Sequence, residues 1–240
     1  MRFKVICNVS GQSIPIDYHR KVISMLKQGF QQSALEKYKE LFENNTLKEY
    51  TFSVYFGQAD FTSKEIFIKN DQIILNVSTA SAELGMYLYN GLTSLKNKNI
   101  QWSAQSIVTV QSIVTVHQPL ITEEKVLLKT LSPIVVRNHN QETNKDWFYS
   151  FEAPEFIEVL KRNMIFKLVP VLGEYIRYDI EALELKPIHM KKTVVRFYER
   201  QMECSIGQFS LSGKPHLLNY LMQSGLGSLT GSGFGMCEVI

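Results

Sequence analysis

Hydrophobic and polar residues follow two different periods near the start of the chain. Residues 2–9 mostly alternate between apolar and polar positions, and this period of two predicts a strand. Residues 18–30 carry apolar side chains at helical spacing, which predicts an amphipathic helix facing a core. A second, shorter helical pattern covers residues 34–42 and ends near the turn signal Asn44-Asn45.

Three short β-like runs follow this helical region. They cover residues 50–56, 65–69 and 72–78. The pair Asn70-Asp71 separates the last two runs and suits a tight turn, so we expect these runs to form a hairpin.

A further helix and a repeated hexapeptide complete the first half. Apolar residues recur at helical spacing over residues 82–96, and either Thr79 or Ser81 is expected to cap this helix. The hexapeptide SIVTVQ at 106–111 is followed at once by SIVTVH at 112–117. A repeat this short cannot form a solenoid, so it predicts one extended strand that is bent or bulged midway.

The order of these elements is that of a β-α-β-β-α-β ferredoxin-like unit. The second half follows the same order, with an interruption at Pro133 and a polar excursion at 138–146. Its predicted elements are a strand at 126–137, a helix at 154–163, strands around 175–185, 193–199 and 202–211, a helix at 214–224 and a strand at 236–240. We therefore predict an α+β protein of tandem ferredoxin-like domains, 1–118 and 119–240, with a boundary near 117–122.

Composition narrows the class of protein. With 45% hydrophobic and 20% charged residues, the 240-residue chain is neither disordered nor fibrous, and a net charge of +3 does not identify a nucleic-acid partner. Cys7, Cys204 and Cys237 are odd in number and far apart. This spacing excludes a disulfide framework and lacks the close pairs of a zinc site, so we expect buried, reduced thiols.

Membrane and metal signals are also missing from the sequence. The apolar run at the N-terminus is too short for a signal peptide, and no segment approaches the roughly 18 apolar residues of a membrane span. We expect a cytoplasmic protein with no membrane partner. The scattered histidines have no ligand spacing, so no metal or other cofactor is predicted; they are His117, His139, His189 and His216.

Glycine is concentrated near the C-terminus. Five of the 13 glycines lie in GLGSLTGSGFG at 225–235, where two Gly-hydrophobe-Gly triplets flank five residues. Glycine permits positive φ and close backbone approach, so such a loop can point N–H groups at a phosphate. Neither a dinucleotide fingerprint nor a P-loop fits, because a helix precedes, a strand follows and no lysine is present. The predicted RNA-backbone contacts here are Gly225, Gly227, Ser228, Thr230, Gly233 and Gly235; a purely structural helix-to-strand connection is the alternative.

These residues carry a family resemblance. The glycine-rich segment before the last strand resembles the signature loop of the CRISPR-associated repeat-processing endoribonucleases, within the superfamily of repeat-associated RNA-binding proteins. Segments in the same order and at similar spacing support it: MRFKVI at 1–6, IPIDYHRKV at 14–22, NVSTASAELGMYLYNGL at 76–92 and TLSPIVVR at 130–137.

The resemblance implies a pair of ferredoxin-like domains that bind CRISPR repeat RNA and cleave the precursor transcript without a metal. The 2′-hydroxyl beside the scissile phosphate attacks, which requires a base, an acid and stabilisation of negative charge. The partners it implies are the repeat RNA and other subunits of a CRISPR effector complex, with the protein as a monomer or a homodimer.

Catalytic candidates come from the first two helices. Many members of the family have a histidine at the end of the second helix, where this chain has none. His19 is the first candidate because imidazole titrates near neutrality, although it falls inside the apolar arc of its helix and a packed role is the alternative. Lys27, Tyr38 and Lys39 are its predicted helpers, while Lys39 also fits a solvated helix face beside acidic neighbours.

A basic segment at 186–200 is the second predicted RNA contact. Alternation places Lys192, Val194, Arg196 and Tyr198 on one face, and Lys191 precedes them. Basic residues interleaved with aromatic ones suit phosphate contact and base stacking, whereas a protected edge strand is the plain structural alternative.

Three functions remain open at this stage. The first is a metal-independent endoribonuclease of CRISPR RNA maturation. The second is a non-cleaving RNA-binding or scaffold subunit of an effector complex. The third is an unrelated ferredoxin-like ligand-binding protein, in which the glycine loop and the basic strand coincide by chance.

Overall fold

The structure is a computed structural model that describes residues 1–44 and 46–240. Contacts between Cα atoms divide the chain into two compact units, Met1–Gln118 and Pro119–Ile240. Among the described residues, no helix combines the length and the apolar character needed to cross a membrane.

The N-terminal unit is built on a five-stranded sheet with the order β3-β6-β1-β8-β7. Its strands are β1 Arg2–Ser10, β3 Tyr50–Tyr55, β6 Gln72–Thr79, β7 Asn99–Ser103 and β8 Ser106–Thr115. The alternation at 2–9 is confirmed, because Phe3, Val5, Cys7 and Val9 are all at most 3% exposed. Neighbouring strands pair antiparallel, and β1 lies between β6 and β8 as in a ferredoxin-like sheet.

Two long helices accompany this sheet, α1 Tyr18–Ser33 and α3 Ala82–Ser94. The side chain of Ser81 accepts the N–H of Leu84 at 3.1 Å, so of the two predicted caps it is Ser81 that starts α3. The helices meet at Gly29 and Gly91, where a Cβ added to Gly29 would lie 2.7 Å from the Gly91 carbonyl oxygen.

A short helical segment follows α1. It consists of α2 Leu35–Tyr38 and a π-helical turn over Lys39–Glu43, in which the N–H of Asn44 bonds the carbonyl of Lys39 at 3.1 Å. The helix predicted at 34–42 is therefore present, and it changes from α-helical to π-helical hydrogen bonding in its second half. The other residue of the predicted turn signal, Asn45, lies outside the described residues.

The prediction that the strands on either side of Asn70-Asp71 form a hairpin is wrong. Strand β5 Glu65–Ile68 pairs with β2 Ser13–Pro15 and with β4 Ala59–Phe61 in a separate three-stranded sheet. Strand β6 instead pairs with β1 and β3. The turn does form, with Asp71 at φ +49°, but it leads the chain from one sheet into another.

The repeated hexapeptide forms the single strand β8, as predicted, with an irregularity at the junction of the two copies. Ile6 of β1 pairs with Ser112 while Cys7 pairs with Val110, so Gln111 is the extra residue of a β-bulge.

The C-terminal unit is built on a four-stranded sheet with the order β12-β13-β9-β14. Its elements are β9 Lys125–Thr130, β10 Val136–Asn140, β11 Lys145–Tyr149, α4 Phe156–Leu172, α5 Ile176–Glu181, β12 Glu184–Phe197, β13 Arg200–Ser212, α6 Pro215–Ser224 and β14 Cys237–Val239. The order of the strands in space is again that of a ferredoxin-like unit, and β12 and β13 form one long hairpin.

Two predictions for this unit are wrong. The segment around 175–185 is largely the helix α5, since Ile176 and Ile180 are both fully buried at a helical spacing of four. The polar excursion at 138–146 belongs to the hairpin of β10 and β11, which turns through Asn144 at φ +51°. Polar composition concealed this hairpin because most of its side chains face solvent.

The three cysteines are buried thiols, as the sequence predicted. Burial raises the pKa of the Cys7 thiol to about 12, and burial is also the main cause of the rise to about 12 at Cys204. These thiols therefore act as small apolar core residues.

Candidate functional site

A polar cleft of about 480 Å³ lies in the N-terminal unit between α1, the end of α2 and β7. We call it the lysine cleft. It contains two of the predicted catalytic residues, Lys27 of α1 and Tyr38 of α2. Its lining residues are Ser24, Lys27, Gln28, Gln31, Tyr38, Asn99, Ile100 and Gln101.

Two lysines approach one aromatic ring beside this cleft. The Nζ atoms of Lys27 and Lys48 each lie 5.4 Å from the centroid of the Phe42 ring. The Tyr38 ring lies 5.5 Å from the same ring. The π-helical turn carries Phe42, so the changed winding after α2 helps to position the ring that both lysines share.

Lys48 is the residue that the sequence analysis missed. Burial and then the positive charge of Lys27 lower the pKa of Lys48 below that of an ordinary lysine. A lysine with a lowered pKa is better able to exchange a proton near neutral pH. No periodicity marks position 48, because it lies in the irregular segment before β3.

His19 does not reach this cleft. Its residue is 2% exposed, and its ring stacks on Tyr18 with centroids 4.1 Å apart and lies 6.3 Å from the Phe52 ring. Of the two roles that the sequence left open, this burial favours the packed histidine over the catalytic one. Among the described residues, no histidine lines the lysine cleft.

Lys39 lies on the solvent side of the same helical segment. Its Nζ bonds Oε1 of Glu36 at 3.0 Å, and the neighbouring Lys37 bonds Glu40 at 2.8 Å. The hydrogen bond and the charge of Glu36 raise the pKa of Lys39. The geometry thus favours the solvated, ion-paired helix face that was the alternative for this residue, and not a place in the cleft.

The glycine loop, residues 225–235, is packed into the C-terminal unit. Its backbone N–H groups bond within the protein: Gly225 to Leu221, Ser228 to Val135, Gly233 to Thr230 and Gly235 to Pro133, at 2.7–3.0 Å. The expectation that these four N–H groups point at an RNA phosphate is therefore wrong. They hold the last helix, the loop and the segment before β10 together.

The same packing explains why glycine is needed. A Cβ added to Gly235, at φ +71°, would lie 1.9 Å from the Leu226 carbonyl oxygen. A Cβ added to Gly227, at φ +89°, would lie 2.5 Å from the Val135 carbonyl oxygen. The cluster that dominates the sequence thus has a structural reason in the close approach of backbones.

The hydroxyls of the loop bond to α4. Asn163 donates its side-chain N–H to Ser228 Oγ at 3.0 Å, and Lys167 Nζ donates to Thr230 Oγ1 at 2.8 Å. Ser228 remains partly exposed, whereas Thr230 is 4% exposed. The loop therefore connects α4 to the end of the sheet and presents only part of its surface to solvent.

The predicted basic strand forms as β12, and the alternate residues Lys192, Val194 and Arg196 are exposed, as the sequence predicted. Lys192, Val194 and Arg196 pair with Ser205, Glu203 and Gln201 of β13, and Val194 is 55% exposed. Tyr198 follows in the turn at φ +46° and is 53% exposed. Lys192 Nζ lies 3.7 Å from Glu152 Oε2 and 3.8 Å from Glu203 Oε1. Lys191 and Arg196 form no ion pair among the described residues.

A buried carboxylate organises the hairpin of β10 and β11. The Asp146 side chain is 5% exposed and accepts from Arg137 Nε at 2.7 Å, from His139 Nδ1 at 2.8 Å and from Arg200. Burial raises the pKa of Asp146, but the hydrogen bonds from Arg137 and His139 and the charges of Arg137 and Arg200 outweigh it, so the net shift is downward. In the described part of the chain, no group of three metal-ligating side chains is placed to hold an ion.

Comparison with known proteins agrees with this geometry. The family profile described as CRISPR associated protein Cas6, C-terminal, matches residues 115–239. A curated protein of Pyrococcus horikoshii, named a CRISPR-associated endoribonuclease-like protein, Cas6nc, is 33% identical over 119 residues. That alignment covers 48% of this chain and 48% of the relative, so the match spans about half the length of the curated protein.

Solved structures share the fold over 100% of this chain. The product of a Cas6-related gene from Pyrococcus furiosus superposes with a TM-score of 0.86 at 22% identity, covering 98% of that chain. A structure described as a RAMP protein binding different RNA substrates gives a TM-score of 0.85 at 21% identity, covering 99% of that chain.

These structures define the class of fold as tandem ferredoxin-like units, as the sequence predicted. The C-terminal match covers more than half of the chain. The protein belongs to the Cas6 family, which confirms the resemblance carried by the glycine loop.

Proposed function

We propose that the protein matures CRISPR RNA by binding the repeat RNA of the precursor transcript and cutting it at one phosphodiester, with no metal in the reaction. Membership of the Cas6 family supports the class of reaction. The observation that carries the proposal is the lysine cleft, which Lys27 and Tyr38 line, together with the Phe42 ring beside it, which Lys27 and Lys48 both approach.

The three side chains supply the groups that RNA transesterification needs. Neutral Lys48 accepts the proton of the 2′-hydroxyl, whose oxygen attacks the adjacent phosphorus. The bond from phosphorus to the 5′-oxygen breaks, and Tyr38 donates its proton to that leaving oxygen; Tyr38 then recovers a proton from Lys48. Charged Lys27 stabilises the negative charge on the phosphoryl oxygens. The products are a 2′,3′-cyclic phosphate and a 5′-hydroxyl.

Two of the four predicted catalytic residues take other roles in this proposal. His19 supports the cleft from the core, since it packs against Tyr18 at the start of α1. Lys39 belongs to the ion-paired helix face with Glu36.

RNA binding extends to the C-terminal unit. One face of β12 offers Lys192 and Arg196 for phosphates, Lys191 offers a further cation on the other face, and Tyr198 in the turn is available for stacking on a base. In this proposal the glycines 225, 227, 233 and 235 act by shaping the loop, and the partly exposed rim at Ser228 is the part that faces RNA. Other effector subunits and a homodimer remain compatible partners.

The cleavage proposal is tested with synthetic repeat RNA in EDTA under single-turnover conditions. We expect a product with a 5′-hydroxyl end. Lys27→Gln should lower the rate by about 10²-fold, the typical effect of removing a group that stabilises transition-state charge. Lys21→Gln, on the same helix but outside the cleft, should cleave at the wild-type rate.

Equal rates for the wild type and Lys27→Gln would remove the cleft from the mechanism. Cleavage that needs added divalent metal would contradict metal independence.

A non-cleaving RNA-binding subunit is the second candidate. It is favoured by the burial of His19 and by the lack of a histidine lining the cleft among the described residues. The same assay separates the two: a stable complex with intact RNA over hours supports the binding subunit.

A further inference from the structure

A second cleft, of about 490 Å³, opens on the C-terminal unit beside β9, β12 and β13. Three basic side chains reach it from two strands: Lys129 of β9, and His189 and Lys191 of β12. The remaining lining residues are Thr130, Leu131, Ser132, Pro133, Ile206, Gly207 and Gln208. We call it the sheet cleft.

Strand register brings these groups together. His189 pairs with Gln208 of β13, and Gln208 pairs in turn with Lys129 of β9. Residues directly opposite one another share a face of the sheet, so His189, Gln208 and Lys129 form one row across three strands. Lys191 lies two residues beyond His189 on β12.

An irregularity in the long hairpin shapes the cleft. The register of β12 shifts between Pro187 and His189, opposite Phe209 and Gln208, and the neighbouring Gly207, at φ +125°, pairs with Met190. A Cβ on Gly207 would lie 2.0 Å from the His189 carbonyl oxygen, so only glycine allows this close approach. The N–H of Gly207 donates to Thr130 Oγ1 at 2.9 Å, which holds this part of the hairpin against the end of β9.

The charges of the cleft have one sign. Lys129, His189 and Lys191 are exposed, and none of them forms an ion pair within the described residues. None of the lining residues is acidic. The nearest acid in the register is Glu238 of β14, which pairs with Lys129 from the far side of β9.

The floor of the cleft is different in character. Leu131, Pro133 and Ile206 contribute apolar surface beside the basic side chains. Cations beside an apolar surface suit a nucleotide, whose phosphate is charged while its ribose and base have apolar faces.

We propose that the sheet cleft binds one nucleotide of the repeat RNA strand, with Lys129 and His189 contacting its phosphate. This inference rests on the proposed RNA-binding function and adds a subsite to it. The cleft contains no residue of the lysine cleft, so it contributes to holding the strand and not to cutting it.

The test measures binding of fluorescein-labelled repeat RNA by anisotropy across a series of salt concentrations. The variants are Lys129→Gln and His189→Gln. A lost phosphate contact should raise Kd by about fivefold to tenfold for Lys129→Gln and lower the slope of log K against log salt by about one. His189→Gln should raise Kd in the same direction.

The matched control is Lys125→Gln. Lys125 is exposed on the same strand four residues earlier and does not line the cleft, so its loss should leave the salt slope unchanged. Thermal melts verify that each variant is folded.

The outcomes separate the two levels of inference. If the wild type does not bind repeat RNA, the proposed function fails and the subsite fails with it. If the wild type binds but Lys129→Gln and His189→Gln match it in Kd and in salt slope, only the sheet cleft is overturned.

Discussion

The two units share one strand order and differ in the segments inserted into it. In the N-terminal unit, α2 and the π-helical turn follow α1 and bring Tyr38 and Phe42 next to Lys27. In the C-terminal unit, the hairpin of β10 and β11 precedes the equivalent helix and carries the Asp146 network. The two units therefore share a common sheet and differ in the side chains that the inserted segments bring together.

The lysine cleft and the Asp146 network also differ in how their positive charges are compensated. Lys27 and Lys48 face one ring, and neither is paired with a carboxylate among the described residues. Asp146 instead neutralises part of the charge of Arg137 and Arg200. Burial and the uncompensated charge of Lys27 lower the pKa of Lys48, whereas the arginines beside Asp146 are compensated and held in place. The first arrangement suits reactivity and the second suits stability.

The largest effect is expected from Lys48→Gln, which tests whether the uncompensated lysine beside the lysine cleft acts as the base. We expect the single-turnover cleavage rate to fall by about 10²- to 10³-fold at neutral pH. The wild-type rate should rise with pH as Lys48 loses its proton, and the variant should lack this rise. A pH–rate profile of both proteins with repeat RNA checks this, and an unchanged profile in the variant would exclude Lys48 as the base.

The same substitution should stabilise the fold. The pKa of Lys48 is lower in the folded protein than in the unfolded chain, so its charge opposes folding at every pH below the folded value. That cost disappears as pH rises towards the unfolded value of about 10.4. Tm should therefore be higher for Lys48→Gln than for the wild type at pH 7, and the two should converge in alkali.

The next largest effect concerns the glycine loop. Gly235→Val places a Cβ against the Leu226 carbonyl at a positive φ, and we expect it to destabilise the C-terminal unit by about 3 kcal/mol. Urea unfolding followed by circular dichroism measures this. Ser232→Ala, at a partly exposed position in the same loop, is the control that should stay within about 0.5 kcal/mol.

A smaller effect is expected from Asp146→Asn. Loss of the carboxylate leaves Arg137 and Arg200 without their charge partner and should cost about 2 kcal/mol at pH 7. The folded pKa of Asp146 lies below its ordinary value of 3.8, so the wild type loses this stabilisation as pH falls below 3.8. Denaturation at several pH values should show the two proteins converging in acid; a constant difference would contradict this role.

Local periodicity predicted the elements that have one buried face. Strand β1 and helix α1 repeat their apolar residues at 2.0 and 3.6, and both form as predicted. Periodicity failed where partners are distant in sequence. Asn70-Asp71 makes a turn whichever strands it joins, and Ile176 and Ile180 are too few to distinguish a short helix from a strand.

The candidate site divides in the same manner. Lys27 and Tyr38 lie on predicted helices, so sequence reasoning found them. Lys48 becomes significant only through its distance to the Phe42 ring and the effect of the Lys27 charge on its pKa, which no pattern along the chain encodes. The glycine loop was recognisable as a family feature, yet its N–H groups bond to Leu221, Val135 and Pro133, and only the folded chain shows those partners.

The bulge at Gln111 has a consequence for how β8 finds its partner during folding. In the first hexapeptide Val108 and Val110 are fully buried. In the second copy Val114, the equivalent of Val108, is 51% exposed, and its neighbour Ile113 packs towards the core instead. The extra residue therefore turns one hexapeptide over relative to the other. If β8 were shifted by six residues, β1 would pair with the other hexapeptide, which has nearly the same sequence, but the bulge would be out of place. Only the native alignment buries opposite faces of both copies, so the bulge sets the register between two otherwise interchangeable segments.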